Sequence, residues 1–406
     1  MDALITAAAR ALAGGDPLGA LKRVALRDDA PALALRGIAM AQLGQLEQAT
    51  ALLKRARRAF GRKDTLARAR CLVAEAEVAL ASRHLEWPIE ALDRARSVLE
   101  RNGDRANAAQ AGYLAARRQL LTGHVHDAES TLAGIDPSPL PPAAVAVHEL
   151  LSAGIALRRL QTCPARSALQ RAALAAQAAR IPALINEVAN ASQVLDSPAA
   201  YRVSSEARQP LRLADVEALF SSDTLVIDAC RFRIRYQHQA VTVAGRPVLF
   251  SLARALGEAW PASVPRHILI HKAFQLQYVD ESARGRLRVE MGRLRSALSA
   301  LAHVRSSGDG FVLTPRHGQE VVVLVPPVDD KYAAILALLA DGEAWSSSSL
   351  ALALGISQRT VQRGLDALVQ ADRVQGFGRG RARRWITPSV PGFTTTLLLP
   401  APLSAH

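Results

Sequence analysis

The chain has 406 residues, half of them hydrophobic and only 4% aromatic. At roughly 100–200 residues per domain it should hold two or three domains, with ample length for a large core, and its wealth of alanine and leucine favours helices and excludes an all-β fold. The net charge of +14 points to a polyanion such as nucleic acid as a partner, although arginines solvated evenly along the chain would give the same balance.

Residues 1–200 read as helix after helix. Gly15, Gly44 and Gly123 each stand five residues before an alanine, at Ala20, Ala49 and Ala128. Glu86 before Ala91 and Cys163 before Ala168 keep that spacing without glycine, and the later intervals are near 40 residues, a helix-pair period. Small residues let paired helices approach, and glycine suits the turn between them. Ala39 to Ala59 resembles a tetratricopeptide repeat at Leu43-Gly44 and Ala49, and the resemblance extends loosely over half the chain. The longer period and the missing aromatic positions leave a generic helical solenoid open. A solenoid offers a concave surface to a protein, a peptide or a second copy of itself; a spacer or plain dimerisation module is the alternative. His124 and His126 are two apart and diverge on a helix, so they and His148 read as surface histidines rather than metal ligands. Lys54 to Arg58 with Arg62-Lys63 reads as a solvated basic face.

Residues 201–222 read as a linker, from Ser204 to Pro210, and a short helix, Leu213 to Phe220. In the domain 223–325, Thr224 to Asp228, Arg231 to Tyr236 and Ala240 to Val243 alternate apolar with polar residues, the period of half-buried strands. Pro247 suits a helix's first turn, and Val248, Leu249, Leu252, Leu256 and Trp260 line one face of the helix it opens. A second helix is predicted from Arg266 to Phe274. A third starts at Asp280, an N-cap, and runs to about Ala300. Leu287, Met291, Leu294 and Leu298 form its apolar stripe, and Arg284, Arg286, Arg288, Arg293 and Arg295 lie off it. Val304-Arg305 and Phe311 to Leu313 flank a turn at Ser306 to Gly310 and predict a hairpin. From 281 to 316 seven arginines stand against Glu281, Glu290 and Asp309.

In the domain 328–388, Tyr332 to Ala340 predicts a helix, and Ser349 to Leu368 a helix-turn-helix: Ala353 small where helices cross, Gly355 in the turn, Ile356 plugging the core, Ser357 as cap. Val361, Leu365 and Leu368 form the buried stripe, which leaves Ser357, Gln358, Arg359, Thr360, Gln362 and Arg363 pointing outward. These residue types hydrogen-bond base edges and phosphates. Arg373-Val374 is predicted as a strand. Gly376 to Ile386, with Arg379, Arg381, Arg383 and Arg384, reads as a glycine-rich basic hairpin or a merely solvated one. Its GxGxG follows a helix and precedes a strand, the wrong context for a dinucleotide loop. The tail, 389–406, carries no assignment.

The segments Leu287 to Leu298 and Gly308 to Leu313 resemble the OmpR-type winged helix of bacterial transcriptional regulators, over residues 223–315. The resemblance implies a small opening antiparallel sheet, a third helix entering the DNA major groove with Arg293 and Arg295 facing DNA, and a wing, with Arg305, touching the adjacent minor groove or backbone. Gly292, Ser307, Val312 and Asp309 depart from that pattern.

The fold class expected is therefore mainly α: a tetratricopeptide-like helical repeat followed by two α+β winged helices in tandem. The function expected is sequence-specific binding of double-stranded DNA by a bacterial transcription regulator, a homodimer, with a protein or peptide partner on the repeat. A protein-binding scaffold and a sequence-indifferent nucleoid-type binder remain alternatives. The chain shows no GxSxG, P-loop, HExxH or carboxylate cluster, so no enzyme, cofactor or metal is expected. Cys71, Cys163 and Cys230 are sparse and far apart, as in a reducing compartment. Met1 to Ala13 lacks a signal-peptide pattern, and no window reaches about 18 apolar residues, so a soluble cytoplasmic protein without membrane contact is expected.

Overall fold

The computed structural model describes residues 2–82, 84, 88–204, 207–243, 246–274, 280–317, 320–325, 332–339, 345–354, 356–370, 373–378, 380 and 383–386. Of the described residues 64% are helical. They form two compact units, one from 1–192 with 332–406 and one from 193–331.

The first unit begins with α1 (Ala3–Ala13), α2 (Pro17–Val24), α3 (Ala30–Gln42), α4 (Leu46–Ala59), α5 (Thr65–Ala81) and α6 (Ile89–Arg101). It continues through α7 (Arg105–Leu121), α8 (Val125–Ala133), α9 (Pro142–Arg158), α10 (Thr162–Ala179) and α11 (Pro182–Asp196). Aspartates start several of them: the side chains of Asp2, Asp16, Asp29 and Asp104 accept hydrogen bonds from first-turn amides, which satisfies donors that the helix itself leaves open. Consecutive helices pack as pairs, α1 on α2, α3 on α4, α7 on α8 and α9 on α10. Gly15, Gly44 and Gly123 take left-handed φ angles of 76°, 79° and 82° in the turns, and Ala20, Ala49 and Ala128 are fully buried where the second helix meets its partner.

The structure corrects the register in the last pair. The left-handed position after α9 belongs to Leu160, with φ 58°, and the buried alanine five residues on is Ala165. The frame Cys163–Ala168 is three residues late, because the turn is built without glycine. Ala91 is only half-buried, and Leu92 beside it takes the core position. Glu86 lies outside the described residues.

Helices α5 and α7 are buried on nearly every side, and polar residues within them pair. Arg57 Nε donates to Glu75 at 2.6 Å, and Arg70 Nε donates to Asp104 at 2.6 Å. Into this same unit folds the C-terminal segment: α16 (Ala333–Leu339), α17 (Ser347–Leu354), α18 (Gln358–Gln370), and the antiparallel strands β10 (Gln375–Phe377) and β11 (Arg384–Ile386). One hydrophobic cluster joins Val73, Leu92, Leu99 and Leu114 of α5–α7 to Ile335, Leu339, Trp345, Leu365 and Trp385. The segment is thus grouped with the N-terminal helices and not with the domain that precedes it in sequence.

The second unit holds β1 (Ala200–Val203), β2 (Arg208–Leu211), α12 (Leu213–Ser221), β3 (Thr224–Asp228), β4 (Arg233–Tyr236), β5 (Gln239–Thr242), α13 (Pro247–Glu258), β6 (Val264–Pro265) and α14 (Arg266–Phe274). After these come α15 (Glu281–Ala297), β7 (Ala302–Ser307), β8 (Gly310–Pro315) and β9 (Glu320–Val325). A six-stranded sheet runs in the order β2-β1-β9-β3-β4-β5, and a three-stranded sheet in the order β6-β8-β7. The opening sheet is therefore larger than its three predicted strands. The expected linker supplies β1 and β2, and β9, buried from Val321 to Val325, inserts between β1 and β3. Strand β4 starts at Arg233, after Phe232 turns the chain with φ 53°. Helix α13 lies so close on the sheet that a Cβ at Gly257 would collide with Ile227 Cδ1 and come within 2.9 Å of Val323 Cγ2. Among the described residues no helix is long and apolar enough to cross a membrane.

Two backbone positions distinguish conformational cost from overpacking. Gly123→Ala meets no neighbour, so its cost should be conformational alone, about 1 kcal/mol, read by urea unfolding of the full chain. Gly257→Ala should cost about 1–3 kcal/mol by overpacking in the same measurement. A larger effect at Gly123 than at Gly257 would contradict both assignments.

Candidate nucleic-acid interface

Two basic helix faces carry the arginines singled out from sequence. The first is α15. Asp280 caps it, its carboxylate accepting from Ala283 N at 2.7 Å. Ala283, Leu287, Met291 and Leu294 are buried, as is Leu298 just beyond the helix. The stripe fixes the helix's rotation, so Arg284, Arg286, Arg288, Arg293 and Arg295 lie off it and are exposed, Arg284, Arg288 and Arg295 along one flank and Arg286 and Arg293 along the other. Arg305 is exposed on β7, in a hairpin whose turn is Gly308-Asp309.

These arginines are not equivalent. Arg284 and Arg288 reach Glu281 at 3.4 and 3.1 Å, and Arg293 reaches Glu290 at 2.6 Å. Exposed pairs of this kind contribute little to stability, but they lower the positive potential of the face. Arg286 lies over the Phe274 ring at 4.5 Å. Arg295 is half structural: its Nε donates to Val304 O at 2.8 Å, and its guanidinium sits 5.5 Å from the Phe311 ring.

Two further cations join this face that the sequence alone did not single out. Arg266, at the start of α14, donates from Nη1 to Gly308 O at 3.1 Å and shares the Phe311 ring with Arg295. Arg246, just before α13, lines a cavity with Val248, Leu249, Glu290 and Arg293. The signal for both was an arginine at a helix's first turn, where a cation opposes the helix dipole and needs another reason to be there.

The second face is α18. Val361, Leu365 and Leu368 are buried as predicted from their spacing, and Gly364 lets Ile335 and Tyr332 approach. Ser357 Oγ accepts from Thr360 N at 3.2 Å, and the two hydroxyls lie 2.8 Å apart. Gln358 Nε2 donates to Ser347 Oγ at 3.0 Å, and Gln362 Nε2 to Asp366 Oδ1 at 2.9 Å. So Ser357 and Thr360 serve the cap, whereas Arg359 and Arg363 lie exposed on the first two turns. Ile356, expected to plug the core, is 42% exposed; the apolar contacts here are made by Val361 instead. Gly355, the side chain of Ala353, Arg379 and Arg381 lie outside the described residues.

Behind α18, β10 and β11 pair with Gly376 opposite Trp385. The strand predicted at Arg373-Val374 begins two residues later, at Gln375; Val374 is buried below it. Arg383 stacks 4.2 Å over Trp385. Arg384 turns the other way and meets the His84 ring on the N-terminal helices, so it is not presented outward with its neighbours.

The remaining sequence candidates have local partners of their own. Arg57 is taken by Glu75, and Arg55 lies 3.7 Å from Asp28. His124 precedes α8 beside Thr122 at 2.9 Å, and His148 lies against Tyr113. Among the described residues no group of three His, Cys, Asp or Glu is placed to hold a metal. Compared with protein-family models, curated proteins and solved structures, the chain matches none.

The geometry separates the arginines by role. Arg295→Ala should lower stability by about 1 kcal/mol through the lost bond to Val304, whereas Arg288→Ala should leave the unfolding midpoint unchanged. Equal midpoints for both variants would show that Arg295 is not structural.

Proposed function

We propose that the protein is a sequence-specific DNA-binding transcription regulator. On this reading the second unit contains an OmpR-type winged helix with α15 in the major groove. The segment 332–386 is a second winged helix read through α18, and the N-terminal helices are a tetratricopeptide-like repeat that binds a protein partner or a second copy of the chain. It is a cytoplasmic, non-enzymatic protein whose ligand is double-stranded DNA.

The observation that carries the reading is the pair of amphipathic helices with arginine on the open side. Each has a buried stripe that fixes its rotation, a capping residue at its start, and exposed cations off the stripe, five arginines on the two flanks of α15 and Arg359 with Arg363 opposite the stripe of α18. Cations at this spacing suit phosphates, and arginine forks suit guanine edges. Arg246 and Arg266 extend the α15 face toward the flanking backbone.

Selection from random duplexes on the full-length protein, followed by a salt titration of the enriched site, tests the proposal. A discrete motif with a steep salt slope is expected. Salt-sensitive binding without a motif would make the protein a nucleoid-type binder, and no binding at low salt would overturn the reading in favour of a protein-binding scaffold. Replacing Arg359 and Arg363 by alanine should weaken the selected site by about 1–3 kcal/mol for each lost base contact. Glu290→Gln should do the reverse, tightening DNA binding by freeing Arg293 and removing a charge that repels phosphate.

A further inference from the structure

Buried polar atoms without a protein partner are concentrated inside the N-terminal helices. Gln42 Oε1 and Nε2 on α3, Glu77 Oε1 on α5, Gln110 Nε2 on α7 and Glu187 Oε2 on α11 are buried and meet no other protein group with hydrogen-bond geometry. They are five of the six such side-chain atoms among the described residues, Arg235 Nε being the sixth. Native proteins leave few buried polar atoms unsatisfied, and a cluster of them marks an occupant. Glu77 is 4% exposed. With Gln42, Ile38, Ala41, Leu53, Ala74 and Val78 it lines a cavity of about 10 Å³, room for a single water-sized group.

Charge narrows the occupant. The groups facing Glu77 are Gln42 from α3, Gln110 and Arg117 from α7, and Glu187 from α11. Arg117 is bound to Glu187, so the cation nearest Glu77 is already matched by another carboxylate, and Gln110 lends the Glu77 carboxylate only a neutral donor. A carboxylate so weakly compensated, beside the Gln42 amide oxygen, matches a single positive charge. It does not match a divalent ion, whose dehydration demands more anionic oxygen.

We propose that Gln42 and Glu77 form a binding site for one desolvated monovalent cation of water size, either an alkali ion or the ammonium head of an amine. Glu77 supplies the charge, and the Gln42 amide oxygen a second contact. Burial pushes the Glu77 carboxyl up to about 8, against the pull of Arg117, so near neutral pH the cation must displace a proton. Binding therefore tightens as pH rises through that value and releases a proton. The same shift has a sign for the empty protein. Between the ordinary carboxylate range and about 8 the folded chain holds one more proton than the unfolded chain, so stability falls as pH rises across that window. The inference stands independently of the DNA-binding reading.

Melting of the full-length chain in rubidium, methylammonium and tetramethylammonium chloride at equal ionic strength tests it, near pH 9 and near pH 6. The expected result is a higher midpoint with rubidium or methylammonium than with tetramethylammonium, larger near pH 9 and lost in Glu77→Gln, which keeps shape and removes charge. A gain from rubidium alone identifies an alkali-ion site, and a gain from methylammonium identifies an amine site. Equal midpoints in all three salts, or an undiminished gain in Glu77→Gln, would overturn the proposal. Anomalous scattering from rubidium-soaked crystals gives a second readout. A peak between Glu77 and Gln42 supports the site, and an ordinary water there refutes it.

Discussion

The constraint on which the first unit depends is the burial of two tryptophans. Trp345 and Trp385 exchange backbone hydrogen bonds at 2.9 and 2.8 Å, which ties the segment before α17 to the strand after α18. Both side chains are almost completely buried in a cluster that continues into α5, α6 and α7. A domain as small as 332–386 buries too little apolar surface to stand comfortably alone, and borrowing a face of the N-terminal helices offsets that. The position of α18, with Arg359 and Arg363, is therefore set by helices more than 200 residues upstream. Anything that repacks α5 or α7 acts on the same core that supports the candidate reading helix.

In the second unit the corresponding constraint is the seat of α13 on the sheet and of α15 on α13. One cluster contains Leu225, Ile227 and Val323 from strands together with Leu252, Leu256, Leu287 and Met291 from the two helices. The buried stripe of α15 keeps its arginines off the core and on its exposed flanks. What the packing does not decide is how much positive charge they present, because Glu281 and Glu290 hold three of the five. The face is a moderated cationic surface, in which phosphate would have to compete with carboxylates already in place.

Much of this was legible in the sequence where a local signal and a buried face agreed. Asp280 before α15, Pro247 at the start of α13 and the spacing of Val361, Leu365 and Leu368 each marked an element and its rotation. Strand β3 was read at its observed bounds, but as half-buried, whereas it is buried at all five residues because β9 and β4 flank it and α13 covers it. Strand β9 escaped, since Glu-Val-Val-Val-Leu-Val is buried on both faces and a continuous apolar run has no period to read. Strands β1 and β2 escaped because Ser204 to Pro210 carries turn residues, and pairing with β9 is a non-local decision. The Leu160 turn was misframed for a different reason: the left-handed conformation is marked in sequence when glycine adopts it and silent when leucine does. The candidate site divides likewise. The arginines of α15 and α18 follow from helix periodicity, whereas Arg246 and Arg266 join the first face only through folding, and Arg384 leaves its group because its partner, His84, is three hundred residues away.

The order of strands also bears on how the chain is made. β9 sits between β1 and β3, pairing antiparallel with one and parallel with the other, so the middle of the six-stranded sheet is the last strand of its unit to be synthesised. Until then β3 has an open edge, a template for unwanted pairing. The N-terminal helices face the same delay, since Val73, Leu92 and Leu114 wait for Trp345 and Trp385 to cover them. Non-local closure of this kind slows folding and leaves sticky intermediates. During synthesis those two apolar surfaces are left without their native cover until the last segments that close them emerge.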